Sequence, residues 1–369
     1  MRGVVIWAQS NCRSTMALYR GIIHELDVPS LITLWHYKKC ESDKDIREQI
    51  GFTHDEFSDL PIEPVGENYE KGLSIIKAHP GWHHVFCVWQ GSPVYRRLIV
   101  EARRRGCPVA VMCESPCNMA SGWKRPVKSA YMRFCLPIFA RKVIQSADLF
   151  VNYSGNDKAS ARQLGWPNER IIPFGYFSPP IPESKIVRRT MNKPFRILAT
   201  GILSKYRGAD VLVEALRLLK MRGIEYSATI TQKGELLEGL KAKARTHDLS
   251  IVFPGFVEMP ELIRLYETCT AYVGAGRSEP WGMRLNDAVQ CGAPLVVSRG
   301  MGGAQLVDRY GCGLTFPAGD AVCLADALQQ LATDSELYAK IADGAVEAAR
   351  QIVPEQKAKE LIGIIKEWL

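Results

Sequence analysis

The sequence predicts an α/β protein of two doubly wound domains in tandem, each a parallel sheet covered by helices. Three observations predict it. The chain has 369 residues, too many for one ordinary core and suited to two. Short apolar runs alternate with helix-like stretches from end to end, as in parallel sheets whose strands are buried on both faces. The same programme then restarts after a proline-rich, basic stretch around Pro179, Pro180 and Pro182.

In the first half, strands are expected over 3–8, 30–35, 84–88, 109–112, 149–153 and 171–173, with helices such as 16–26 and 94–105 between them. Residues 177–193 read as a linker. The second half has strands over 195–200, 226–231, 250–254, 271–273, 294–298 and 313–316. Its helices are expected over 209–222, 234–247, 259–269, 284–291 and 322–332. The last stretch, 335–369, reads as two helices separated at Pro354, where the missing N–H and the ring clash stop a helix. The domains drawn on this basis are 1–176 and 194–353, followed by a terminal helix over 354–369. Such domains bind ligands at the carboxyl ends of their strands, and two that face each other enclose a central cleft.

Composition narrows the class. With 47% hydrophobic and 23% charged residues the chain is globular rather than disordered or fibrous. No apolar run reaches the roughly 18 residues of a membrane span, and the run from Val4 to Ala8 is too short for a signal-peptide core. A cytoplasmic protein is therefore expected. Eleven cysteines, an odd number without paired spacing, fit reduced and mostly buried thiols. Cys113 and Cys117 lack the usual zinc or redox spacing, and His24, His36, His83 and His84 show no ligand spacing. No acid cluster points to a metal. The net charge of +8 suits an acidic partner: a nucleotide diphosphate, an anionic membrane or a nucleic acid. No zinc-finger spacing or RNA-reading aromatic motif is present, so nucleic acid is not expected.

The most informative stretch runs Gly276-Arg-Ser-Glu-Pro-Trp-Gly-Met-Arg-Leu-Asn-Asp-Ala-Val-Gln-Cys-Gly-Ala-Pro-Leu-Val-Val-Ser298. A strand ends in a glycine-rich loop and a helix starts near Met283. The backbone N–H groups of Gly282, Met283 and Arg284 then point out of the helix start, where anions bind. Glu279 precedes that start and Asp287 follows after seven intervening residues, so the two acids could hold hydroxyls on either side of a phosphate. Acids that merely compensate a helix dipole would look the same.

The whole stretch resembles the donor-site signature of the retaining glycosyltransferases of family GT4. That signature has a Glu, an aromatic-Gly pair, a second Glu after seven residues and a Cys-Gly-x-Pro-Val-Val-like strand. Here these are Glu279, Trp281-Gly282, Asp287 and Cys291-Gly-Ala-Pro-Leu-Val-Val297. The resemblance continues in Gly302-Gly303 and in Gly311-Cys-Gly to Asp320, with Gln305 where Glu is usual. Upstream, Ala199-Thr-Gly-Ile-Leu-Ser-Lys-Tyr-Arg-Gly208 is similar to the family's diphosphate loop. Arg207 takes the Lys place there and Ile202 the place of an Arg, a loss for which Lys205 can substitute. Gln232-Lys-Gly-Glu235 follows a strand where the family has a Gly-x-Gly-Pro turn. The resemblance covers roughly 149–320 well and the first 148 residues poorly.

It implies the GT-B fold, two Rossmann-like domains facing a cleft, with the first on the acceptor side and the last helix crossing back to it. It implies transfer of a hexose-type sugar, with anomeric retention, from a UDP- or GDP-sugar to an acceptor hydroxyl, without a metal or other cofactor. Glu279 would bind sugar hydroxyls and Asp287 ribose hydroxyls. Gly201, Lys205 and Arg207 would hold the diphosphate together with the helix start at Gly282, Met283 and Arg284. The runners-up are a sugar-nucleotide epimerase of the same architecture and a catalytically silent partner of a glycosyltransferase complex.

Three further features bear on function. Gly274-Ala-Gly-Arg-Ser-Glu279 and Gly300-Met-Gly-Gly303 imitate a dinucleotide fingerprint, but the first has Glu at the third glycine and the second lacks the ribose-binding acid. Glu114 ends a strand of the first domain and is a candidate catalytic-site acid that binds the acceptor hydroxyl, or else a capping or surface acid. Finally, residues 115–147 contain no acid but carry Lys124, Arg125, Lys128, Arg133, Arg141 and Lys142 among Trp123, Tyr131, Phe134, Leu136, Ile138 and Phe139. That mix fits an interfacial helix on an anionic membrane surface, serving a sugar or lipid-linked acceptor, or an ordinary helix with a solvated basic face.

Overall fold

A computed structural model describes residues 2–10, 13–36, 59–87, 89–114, 124–154, 158–178 and 186–368. The chain divides into two compact units, residues 1–174 with 354–369, and residues 175–353.

The first unit runs β1 (Val4–Ser10), α1 (Arg13–Leu26), β2 (Ser30–His36), β3 (Ile62–Pro64), α2 (Tyr69–Ala78), β4 (His83–Phe86), α3 (Pro93–Arg104) and β5 (Val109–Cys113). It continues with α4 (Lys124–Ala130), α5 (Leu136–Ser146), β6 (Leu149–Asn152), α6 (Lys158–Gln163) and β7 (Ile171–Pro173). All its strands are parallel, in the order β3-β2-β1-β4-β5-β6-β7. Val5, Trp7, Phe86, Val109, Val111 and Phe150 are buried in its core, as expected of strands covered on both faces. Helix starts follow capping chemistry: Ser92 precedes Pro93 and accepts from the Tyr95 N–H at 3.2 Å. β3 and α2 were not expected from the sequence. β3 is three residues long and has Pro64 within it, so it carries no apolar run to detect.

The second unit runs β8 (Phe195–Ala199), α7 (Ala209–Met221), β9 (Tyr226–Thr231), α8 (Leu237–Thr246), β10 (Ile251–Gly255), α9 (Met259–Thr268) and β11 (Ala271–Gly274). Then come α10 (Met283–Gln290), β12 (Leu295–Ser298), α11 (Ala304–Tyr310), β13 (Gly313–Phe316), α12 (Ala321–Thr333) and α13 (Ser335–Gln351). Its order is β10-β9-β8-β11-β12-β13, again all parallel. Strand order reverses direction between β8 and β11, and such a switch point opens a crevice at the carboxyl ends of its strands.

The segment expected to be a linker is attached to this unit at its described residues. Arg189 is buried, and its Nη2 donates to the carbonyls of Tyr266 at 3.0 Å and Cys291 at 2.6 Å. The Ser178 N–H donates to Ile352 O at 3.2 Å, and Gln290 Nε2 to Ser178 O at 3.3 Å. Residues 179–185 lie outside the described residues.

The chain ends in α14 (Pro354–Trp368), which packs on α1 in the first unit. Gly21 of α1 allows the approach, since a Cβ there would lie 2.9 Å from that of Ala358. Lys357 anchors the helix. It is 3% exposed, donates to Phe174 O at 2.5 Å and Glu360 Oε2 at 2.8 Å, and lies over the Phe174 ring. A buried ammonium must be paired in this way, because desolvation otherwise favours its neutral form.

Candidate functional site

The site is built from two loops at the switch point of the second unit. The first leaves β8 at Ala199 and enters α7 after Gly208; the second leaves β11 at Gly274 and enters α10 after Gly282. They touch at Gly208, where φ is +72° and a Cβ would lie 1.9 Å from Ala275 O. Only glycine satisfies both the left-handed backbone and that approach. Arg277 ties the loops a second time. Its N–H donates to Tyr206 O at 2.9 Å, and its guanidinium donates to Lys205 O at 2.5 Å. The same guanidinium grips both oxygens of Asp210, in the first turn of α7, at 2.7 and 2.9 Å. Burial pushes the Asp210 carboxyl up, but Arg277 more than offsets it, and the net shift is downward.

Glu279 is pinned through its backbone to the loop after β12. Its N–H donates to Gly300 O at 2.8 Å and its carbonyl accepts from Gly302 at 3.0 Å. The Glu279 side chain is 9% exposed and forms an ion pair with Arg207, which is 39% exposed. Two residues on, buried Trp281 donates from its indole to Asn286 Oδ1 at 2.7 Å and packs near Tyr176, so this aromatic anchors the loop. Gly282, at φ +98°, then turns the chain into α10.

The result is an open pocket lined by Thr200, Gly201, Arg207, Glu279, Gly282 and Arg284, among others. Cations and a helix amino terminus face a carboxylate within one space. Such a space can hold a ligand that is anionic at one end and rich in hydroxyls at the other.

Five of the sequence-predicted residues thus come together: Gly201, Arg207, Glu279, Gly282 and Arg284. Met283 is the first residue of α10, with its side chain 37% exposed. The Lys205 side chain is exposed and is not among the residues lining the pocket, and its carbonyl accepts from Arg277. Ile202 does line the pocket, 60% exposed, so an apolar side chain stands where the resembling family has Arg. Asp287 accepts from Arg284 Nη1 at 3.0 Å and is not among the lining residues. Burial raises its carboxyl above the ordinary value against the pull of Arg284. Glu114 belongs to the first unit, exposed just after β5, and its carbonyl accepts from Gln90 Nε2 at 3.0 Å.

Two groups escaped sequence reasoning. Arg277 stands two residues before Glu279, and only its position in the signature hinted at a role. In the pocket wall, Thr200 Oγ1 lies 2.9 Å from the Tyr272 hydroxyl and 3.3 Å from that of Tyr266. Neither tyrosine stands out in the sequence. Burial pushes both phenols upward, so they remain neutral hydroxyls.

This unit is similar to known proteins. Residues 181–348 match the family described as Glycosyl transferases group 1. The amylovoran biosynthesis glycosyltransferase AmsK of Erwinia amylovora is 28% identical over 176 residues, 46% of this chain and 43% of that protein. A D-inositol 3-phosphate glycosyltransferase of Pseudarthrobacter chlorophenolicus is 30% identical over 147 residues, 38% of this chain and 35% of that protein. The alignments therefore span less than half of these relatives' own lengths. Among solved structures, the apo lipopolysaccharide outer core galactosyltransferase WaaB aligns over 100% of both chains with a TM-score of 0.69 at 14% identity. Anabaena HepE in complex with UDP and glucose also aligns over 100% of both, with a TM-score of 0.64 at 13% identity. At such identities the likeness shows the fold: two Rossmann-like units of GT-B type, as expected from the sequence.

Proposed function

We propose that this chain, whose residues 181–348 match the group 1 glycosyl transferases, moves a hexose-type sugar from a UDP- or GDP-sugar to an acceptor hydroxyl with anomeric retention. The product would be a glycan, polysaccharide or glycolipid. The observation that carries the reading is the pocket in which Arg207, Arg284 and the first turn of α10 face the carboxylate of Glu279. The UDP and glucose of the HepE complex are ligands of the kind such a pocket fits.

In this reading the diphosphate lies against Arg207, Arg284 and the α10 amino terminus, which stabilise charge developing on the leaving group. Protein cations, rather than a resident metal, do this work. Glu279 accepts hydrogen bonds from sugar hydroxyls, and Asp287 shares ribose hydroxyls with Arg284. The bond from the anomeric carbon to the diphosphate oxygen breaks as a bond to the acceptor oxygen forms on the same face. The acceptor proton passes to the departing phosphate. The first unit supplies the acceptor side, with Glu114 toward the acceptor hydroxyl. The test is incubation with radiolabelled UDP- and GDP-sugars and separation of products. Label moved to an acceptor is expected. A changed sugar nucleotide marks an epimerase, and label left intact with every acceptor marks a silent partner; either overturns the proposal.

The helical stretch 124–146 supports a cytosolic-face, peripheral membrane location. A π-helical turn, Tyr131–Cys135, joins α4 to α5. The stretch exposes Val127, Tyr131, Phe134, Ile138 and Phe139, each between 47% and 73%. Exposed Lys128, Arg133, Arg141 and Lys142 lie among them, with no acid. Residues 115–123 lie outside the described residues. Exposed apolar side chains among cations match an anionic lipid surface, where each basic residue contributes about 1 kcal/mol. Sedimentation with anionic liposomes at low salt should carry the protein down, and Lys128→Ser with Phe134→Ser should weaken it. A wild type left wholly in the supernatant would point to a soluble acceptor.

A further inference from the structure

We infer that Thr200 is a phosphate-binding residue of the pocket: its hydroxyl gives a hydrogen bond to a diphosphate oxygen, and Tyr266 and Tyr272 fix the direction of that proton. The inference rests on the sugar-nucleotide reading above and adds to it a contact that no cation supplies. Thr200 follows the last residue of β8, lines the pocket and stands immediately before Gly201. Tyr272, on β11, also lines the pocket, and Tyr266 comes from α9.

The hydrogen-bonding capacity of the three hydroxyls sets the direction. Both tyrosines are 2% exposed, so each phenol proton needs an acceptor inside the protein. Burial holds both phenols neutral, so each keeps that proton. The Tyr266 hydroxyl reaches Thr200 Oγ1 at 3.3 Å. The Tyr272 hydroxyl lies 2.9 Å from the same Oγ1 and 3.5 Å from Thr200 O, and the shorter contact takes the proton. A threonine hydroxyl has two lone pairs and one proton. The two phenols fill both lone pairs, and among the described residues no acceptor engages the Thr200 proton. A hydroxyl held in this way can only donate. Its match is a group rich in acceptors and poor in protons, such as a phosphate oxygen, rather than a sugar hydroxyl seeking an acceptor. Arg284 opposes the upward shift of both phenols and Asp287 adds to it, so the hydroxyl cluster stands beside the Arg284–Asp287 pair. Thr200 therefore adjoins one of the two cations proposed to meet the diphosphate.

Isothermal calorimetry of the full chain tests this with whichever of UDP and GDP the wild type binds more tightly. Thr200→Ser keeps the hydroxyl and should hold the affinity within about threefold, or roughly 0.7 kcal/mol. Thr200→Val alone would strand two buried phenol protons, so the hydroxyl is removed in a Tyr266→Phe, Tyr272→Phe background. There all three side chains are apolar at nearly unchanged shape, and the fold is expected to hold. The double phenylalanine variant keeps the Thr200 hydroxyl and should weaken the diphosphate by less than about threefold. Adding Thr200→Val should weaken it about tenfold further, or about 1.4 kcal/mol, with little further loss of stability in urea. Three results overturn the inference: a Thr200→Val step worth less than about threefold, a double phenylalanine variant that already loses as much as the triple, or a Thr200→Ser variant that loses the affinity. In each of these the wild type still binds, and the sugar-nucleotide reading stands. A wild type that binds neither UDP nor GDP overturns that reading and this inference with it.

Discussion

The two units repeat one strand order, yet the residues described at the carboxyl ends of their strands differ. In the second unit the ends of β8 and β11 open onto Thr200, Gly201, Arg207 and Glu279, a charged pocket. In the first unit, β4 leads into buried Cys87 and Trp89, and neighbouring β5 ends at Cys113. The Tyr19 hydroxyl donates to Cys87 Sγ at 3.3 Å, and Trp89 Nε1 to Cys113 Sγ at 3.1 Å. Burial pushes both thiols up to about 12, so neither is a thiolate at neutral pH. The difference teaches that a doubly wound sheet supplies strand ends, while the residues that follow each strand decide what chemistry stands there.

The largest effect expected from this contrast is on thiol reactivity. At pH 8 a thiol with a value near 12 is ionised to only about one part in ten thousand. Cys87 and Cys113 should therefore alkylate at least about a thousandfold more slowly than the exposed Cys135. Mass spectrometry of iodoacetamide-treated protein reads this directly. Rapid labelling of Cys87 would mean that the packing around it opens in solution.

A smaller effect separates two glycines. Gly208 and Gly106 both have positive φ, but a Cβ at Gly106 meets nothing within 4 Å. Gly106→Ala should cost about 1–2 kcal/mol from backbone conformation alone. Gly208→Ala adds the collision with Ala275 O and should cost about 3 kcal/mol or more. Urea titration measures both, and equal losses would show that the two loops are not locked together at Gly208.

The smallest effect concerns Gln232, at the end of β9, which holds a left-handed φ of +82°. Gln232→Gly should stabilise the second unit by about 0.5–1 kcal/mol through relief of that conformation, net of glycine's greater chain entropy. Loss of stability in urea would instead show that the Gln232 side chain holds the loop.

Much of the molecule was determined by the sequence alone. The apolar runs that became β8, β9, β11, β12 and β13, the glycine-rich loops and the helix start near Met283 are local signals, each complete within a few residues. Pro354 separated α13 from α14 for the same reason. Residue types also marked Glu279, Arg207 and Arg284 as pocket residues through the signature around them. Only the tertiary structure decided what these groups touch. Arg277 meets Asp210 across 67 residues, and Arg207 meets Glu279 across 72. Arg189, in a stretch that read as a linker, is buried on carbonyls 77 and 102 residues away. No spacing in the sequence encodes such pairs. They arise because β8 and β11, distant in the chain, are neighbours in the sheet, and that adjacency brings their loops within reach of a single guanidinium.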